Sequence, residues 1–113
     1  MVKIEAIVKR NAMEKIGKEL ARNNCPGITI YQVHGQGMQH GLRQEYRGME
    51  FMIEFLPKYK MEVVVDEDRL EEILDIIIKA ANSSTIGDGK IFVSPISEAV
   101  RIRTGERGAA AIS

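Results

Sequence analysis

An α+β fold with the element order β-α-β-β-α-β is predicted by three observations. Residues 13–21 and 70–81 carry apolar side chains at helical spacing. Segments at 2–8, 28–34, 50–65, 91–93 and 100–103 are rich in β-branched and alternating apolar residues, which read as strands. Clusters of glycine, proline, asparagine and serine separate these stretches. That order is the split βαβ arrangement of ferredoxin-like folds, a βαββαβ sandwich of helices on one sheet.

Val2, Ile4, Ala6 and Val8 alternate with Lys3, Glu5, Ile7 and Lys9, so the first strand buries one face. Met13, Ile16, Gly17, Leu20 and Ala21 form the apolar stripe of the first helix. "NNCPG" stops it, with Pro26 unable to continue a helix and Gly27 suited to a turn. A second strand follows from Ile28 to His34, and a third is expected from near Glu50 through "FMIEFLPKYKMEVVVD", with Pro57 as a break or bulge. Acidic "DED" at 66–68 favours the start of the second helix, whose stripe is Leu70, Ile73, Leu74, Ile77 and Ala81. "NSSTIGDG" ends that helix. Ile91–Val93 and Val100–Arg103 are expected to be the last extended segments.

The bulk numbers narrow the function. A chain of 113 residues fits a single domain, 1–113, and 44% hydrophobic residues fits an ordered core. Sixteen basic and sixteen acidic residues cancel, so an anion site must come from local clustering, and duplex DNA binding is disfavoured. Few aromatics are available to stack on bases, so no direct nucleic-acid partner is expected. The single Cys25 rules out an intrachain disulfide and reads as a small buried thiol. No apolar run approaches about 18 residues. "MVKIEAIVKR" is unlike an export signal, so a cytoplasmic location is expected.

Two features point to function. The stretch from about residue 37 to 54 is longer than a hairpin connection needs, and loops beyond about 12–15 residues are usually functional. "TIGDGK" at 85–90 places two glycines, an aspartate and a lysine at a helix-to-strand junction. Glycines let a backbone approach an anion, and Lys90 adds charge. Arg101 and Arg103, two apart on an expected strand, leave one face. Local pattern leaves two readings open: a polyphosphate clamp, or a tight turn with a snorkelling lysine and ion-paired edge arginines. His34 and His40 flank the glycine-rich loop, without metal-ligand spacing to Cys25. Glu50, Glu54 and Glu62 read as solvated or ion-paired strand residues.

"EYRGMEF" at 45–51 and "IGDGKIFVSPISEAVRIRTGERG" at 86–108 resemble the central-loop and C-terminal signatures of PII nitrogen-regulatory signal-transduction proteins. "KIEAIVK" and "FLPK" extend the resemblance over essentially the whole chain. It implies a homotrimer of ferredoxin-like subunits with nucleotide sites between them and a long T-loop between strands two and three. It implies ATP or ADP held by Thr29, Gly35, Gly37, Met38, Glu62, Val64, Gly87, Asp88, Gly89, Lys90, Arg101 and Arg103. It implies 2-oxoglutarate bound by Gln39, His40, Gly41, Lys58 and Gly87, with Gln39 coordinating Mg²⁺ beside ATP. Tyr46, Arg47 and Gly48 correspond to the target-binding loop tip. The implied role is non-catalytic: a sensor of ATP/ADP and 2-oxoglutarate. Its implied targets are ammonium transporters, glutamine synthetase or other nitrogen-metabolism proteins, with peripheral membrane recruitment through the transporter.

Departures from the family pattern are informative. Phe51 replaces a modifiable tyrosine and Met49 a serine phosphorylated in some relatives, so signalling through ligands is expected, with Tyr46 left as a modifiable residue. Met38 stands where a phosphate-contacting arginine is common, and His40 where lysine is. The competing class is a phosphotransfer enzyme of ferredoxin-like fold, which would need one of the two histidines set rigidly in a pocket.

Overall fold

The structure, a computed structural model, describes residues 1–25, 27–34, 57–85 and 87–113, together with the backbone of 44–46 and 49–51. Strand β1 (Val2–Val8) lies inside a four-stranded antiparallel sheet ordered β2-β5-β1-β6. Its neighbours are β5 (Pro57–Val65) and β6 (Lys90–Pro95), while β2 (Thr29–His34) and β6 form the edges. Helices α1 (Arg10–Arg22) and α2 (Leu70–Ala81) pack together, and a 3-10 turn, Glu67–Arg69, leads into α2. A four-residue helix, α3 (Ala109–Ile112), closes the chain.

Burial alternates along β1: Val2, Ile4, Ala6 and Val8 are buried, and the intervening residues are half-buried. Ile4, Val8, Ile16, Leu20 and Ile73 are the largest fully buried side chains and join sheet to helices. Each such side chain contributes about 1.5–3 kcal/mol by leaving water. On α1 the buried stripe is Ala12, Ile16 and Leu20. The expected Ala21 is exposed, because the stripe that meets α2 and β5 is shifted toward Ala12.

The first helix ends as its sequence predicts, and Asn24 makes the turn. Asn24 takes a left-handed conformation, φ 59°, and its N–H donates to the Ala21 carbonyl, while the Cys25 N–H donates to Leu20. Arg69 reaches across from the 3-10 turn and donates to the Asn23 and Asn24 carbonyls at 2.7 and 3.2 Å. Cys25 is buried, and that burial pushes its thiol pKa up.

Two strand expectations need correction. The third strand does not run unbroken from Glu50. Met49–Phe51 (β4) pairs with Gln44–Tyr46 (β3) as a separate two-stranded sheet, with Tyr46 opposite Met49, and β5 begins only at Pro57. Pro57 has no N–H to donate, which suits the first position of a strand. His34 pairs with Pro57, so the chain leaves the sheet and returns to it at one point. The long loop therefore spans 35–56 and contains its own hairpin.

The segment Val100–Arg103 is not a strand. Val100 bridges Arg107, and residues 102–104 form a turn. The Gly105 N–H donates to the Arg101 carbonyl at 2.7 Å, with Gly105 at φ 73°, and the Arg101 N–H donates to Glu106. A left-handed glycine folds this segment back on itself before it can pair with a neighbour.

Candidate functional site

The glycine loop joins α2 to β6. Ser84 sits at φ 58°, with its N–H donating to Asn82 Oδ1 at 2.8 Å, so the chain turns as soon as the helix ends. Asp88 then reaches back. Its Oδ2 accepts the Ser83 N–H at 2.8 Å, and its Oδ1 accepts the Ser83 hydroxyl and the Thr85 hydroxyl, the latter at 3.2 Å. The Ser83 bonds are the chief reason the Asp88 carboxyl is held down to about 2. Lys9 Nζ stands 3.9 Å from the same carboxylate.

Gly87 and Gly89 adopt φ 96° and 109°. A Cβ on Gly89 would lie 1.9 Å from the Ile7 carbonyl oxygen, so the backbone approach excludes every side chain. Lys58, only 9% exposed, donates from Nζ to the Gly87 carbonyl at 3.3 Å. Lys58 pairs with Val33, one step from the base of the long loop, so it joins that base to the glycine loop. A cavity of about 240 Å³ opens between the last turn of α2 and the start of β6, lined in part by Ile78, Asp88, Gly89 and Lys90.

The remaining expected residues lie elsewhere. Thr29 pairs with Glu62, and Glu62 belongs to a ladder of charges on the sheet face opposite the helices. Lys3 Nζ lies 2.8 Å from Glu5 Oε1, Lys60 Nζ 3.5 Å from Glu5 Oε2, and Lys60 Nζ 3.6 Å from Glu62 Oε1. The hydrogen bond to Lys3 lowers the Glu5 pKa, and that to Glu62 raises the Tyr31 pKa. Val64 lines a cavity of about 470 Å³ with Gly27, Arg69, Ile112 and Ser113. Arg101 donates to the Ser113 carbonyl at 2.7 Å and pairs with Glu106 at 3.3 Å, which places it near that cavity. Arg103 is exposed in the turn.

Register separates the two groups. Lys90 pairs with Ile7 and Val64 with Lys3, four residues apart on β1. At ~3.3 Å per residue that is about 13 Å along the sheet. One chain therefore carries Lys58, Gly87, Gly89 and Lys90 at one end, and Val64 with Arg101 toward the other. Of the two readings that local pattern left open, the clamp had Lys90, Arg101 and Arg103 together with both arginines on a strand face; within a single chain they do not converge that way, and Arg101 is ion-paired to Glu106.

Gly35, Gly37, Met38, Gln39, His40, Gly41, Arg47 and Gly48 lie outside the described residues, and of Tyr46 only the backbone is described. Among the described residues, no cluster of three or more His, Cys, Asp or Glu could hold a metal ion. Sequence reasoning missed Ser83, Thr85, the Ile7 carbonyl, Glu106 and Ser113. The polar run "NSST" beside Asp88 was a usable signal for the first two; the others are contacts that only folding brings about.

Fold and site together define a ferredoxin-like α+β protein in which Lys58, beside the strand ends that bracket the long connection, bonds to the glycine turn. The family follows from sequence: the model of the family "Nitrogen regulatory protein P-II" matches residues 1–106. A nitrogen regulatory protein P-II from Bradyrhizobium diazoefficiens is 47% identical over 99% of this chain and 100% of its own length. One from Azospirillum brasilense is 46% identical with the same coverage. Among solved structures, Arabidopsis thaliana PII bound to citrate superposes with a TM-score of 0.80 at 36% identity, covering 99% of this chain and 89% of that one. The chain belongs to the P-II family of nitrogen regulatory proteins.

Proposed function

We propose that the protein is a homotrimeric sensor that binds ATP or ADP, and 2-oxoglutarate with Mg²⁺, and controls nitrogen-metabolism targets through its long loop. The observation that carries this reading is the separation of the two halves of the cationic set. Lys90 and the glycine loop stand at one end of the sheet and Arg101 toward the other. A second copy of the chain would bring one half against the other, so a nucleotide at the seam would meet both. Thr29, Glu62 and Val64 would then face the base and sugar, and the glycine loop, Lys90, Arg101 and Arg103 the phosphates.

Lys58 supports the effector half of the reading. A nearly buried ammonium on the Gly87 carbonyl, one step from the base of the long loop, is suited to a carboxylate ligand. The citrate on the Arabidopsis relative is a carboxylate of that kind. Mg²⁺ would be held by nucleotide phosphates, effector oxygens and Gln39, since the glycine loop's own carboxylate, Asp88, is committed to Ser83 and Thr85. Hard cations favour such oxygen donors. Exchange of the Lys58 acceptor would bias the loop, and the loop would select the target, with an ammonium transporter first through Arg47 and glutamine synthetase next. In the cytoplasm such a protein reads nitrogen and energy status together. Among the described residues His34 is exposed at the end of β2, which does not favour a phosphotransfer reading.

Calorimetric titration with ATP and ADP, with and without 2-oxoglutarate and Mg²⁺, tests the proposal. Expected are nucleotide binding by both and 2-oxoglutarate binding only with ATP and Mg²⁺. Equal 2-oxoglutarate binding without nucleotide refutes the mechanism.

A further inference from the structure

Asp88 is an odd residue to find between two glycines that are to meet phosphate, because its charge has the wrong sign. Its geometry removes the conflict. Both carboxylate oxygens are taken by donors from the same loop, the Ser83 N–H and hydroxyl and the Thr85 hydroxyl. The Ser83 and Thr85 hydroxyl oxygens also lie 2.7 Å apart, so one hydroxyl proton can be shared between its neighbour and Asp88. The bonds run from the residue between the glycines to the first residues after α2, and so tie Ser83, Thr85 and Asp88 into a hydrogen-bonded ring. Ser84, inside that ring, is held in a left-handed conformation that a non-glycine residue rarely takes. Such a conformation persists only when surrounding bonds determine it.

We propose that Asp88, Ser83 and Thr85 form a latch that positions the phosphate-binding backbone of residues 87–90, and that Asp88 acts through the loop instead of touching the nucleotide. The proposal rests on the nucleotide reading above. Three restraints then fix the loop from different sides. The latch ties it to the end of α2, Lys58 holds the Gly87 carbonyl from β5, and Gly89 is pressed on the Ile7 carbonyl of β1. With only the last two, residues 83–85 would be free to swing, and the positive-φ geometry at Gly87 would lose its support. Lys9, 3.9 Å away, offsets the Asp88 charge that an incoming polyphosphate would otherwise feel.

The sign of one measurement separates positioning from direct contact. If Asp88 acted only as a nearby negative charge, Asp88→Asn would tighten binding of an anion. A latch predicts the reverse. ATP and ADP dissociation constants are measured by calorimetry, with unfolding midpoints, for wild type, Ser83→Ala, Ser83→Thr, Asp88→Asn, the double variant and Lys90→Ala. Expected is about tenfold weaker binding for Asp88→Asn and for Ser83→Ala, the size of losing one charge-assisted hydrogen bond. Ser83→Thr, which keeps the hydroxyl, restores affinity. The double variant binds no worse than the weaker single one, because both changes break the same latch. Ser83 is exposed, so its variants fold even if Asp88→Asn does not. Wild-type affinity in Ser83→Ala, or tighter binding by Asp88→Asn, overturns the latch while a weakened Lys90→Ala keeps the nucleotide reading. A wild-type protein that binds neither nucleotide overturns both.

Discussion

At one end of the sheet, Gly89 is pressed against the Ile7 carbonyl, 1.9 Å from where a Cβ would stand; in the turn after β6, Gly105 has nothing within 4 Å of that position. Both glycines have positive φ, 109° and 73°. Gly105 is needed only for its conformation, and local bonds to Arg101 complete its turn. Gly89 is needed for conformation and for space, because a strand distant in sequence runs beside it. Gly89 is thus fixed by tertiary packing and Gly105 by local hydrogen bonds. Two halves of one proposed ligand site have reached their shapes by different means.

The largest expected effect tests this contrast directly. Gly89→Ala forces the loop off β1 and should cost about 3 kcal/mol or more and abolish nucleotide binding. Gly105→Ala meets only the left-handed penalty, about 1–2 kcal/mol. Thermal unfolding and calorimetry on the pair check it, and equal losses at both positions would erase the distinction.

A smaller effect sharpens the claim that the two ends serve one site through neighbouring copies. Lys90→Ala and Arg101→Ala should each weaken ATP binding by about 10- to 100-fold, the span of one lost charge-assisted contact. Unfolded together and refolded as a mixture, the two variants should regain high-affinity sites, since some seams then pair an intact Lys90 with an intact Arg101. A site built within one chain would show no recovery.

The smallest effect is a pH dependence confined to the glycine loop. The folded Asp88 carboxyl titrates at about 2, below its ordinary 3.8. Its stabilisation is therefore fully present above about pH 4 and lost as pH falls toward 2. Unfolding midpoints of wild type and Asp88→Asn should differ by a constant amount near neutrality and converge across that window. A difference that persists at pH 2 would assign it to shape and not to charge.

How legible this was in the sequence varies by element. Val2–Val8, the two helices and the β-α-β-β-α-β order follow from period and burial, and the sheet register keeps Ile4 and Ala6 on the helix side. The separation of Met49–Phe51 from β5 was legible only in part: Pro57 marked a break, but "MEFMIEFLPKY" is apolar enough to read as one strand. Pairing with Gln44–Tyr46 draws β4 into its own sheet. Arg101 and Arg103 looked like strand residues for the same reason, until Gly105 turned the chain. Of the candidate site, "GDGK" announced itself by composition, whereas the Ser83–Asp88 latch and the Lys58–Gly87 bond join residues that composition alone does not pair.

The order of side chains by itself determined the helices, the core faces of the strands and the family, because periodic burial and long motifs are properties of neighbouring residues. Only the tertiary structure decided that Gly89 tolerates no side chain and that Lys58 grips the glycine loop. It also decided that Lys90 and Arg101 stand apart on the sheet. Those facts depend on which backbone lies against which, and strand register is chosen by the packing of the whole molecule.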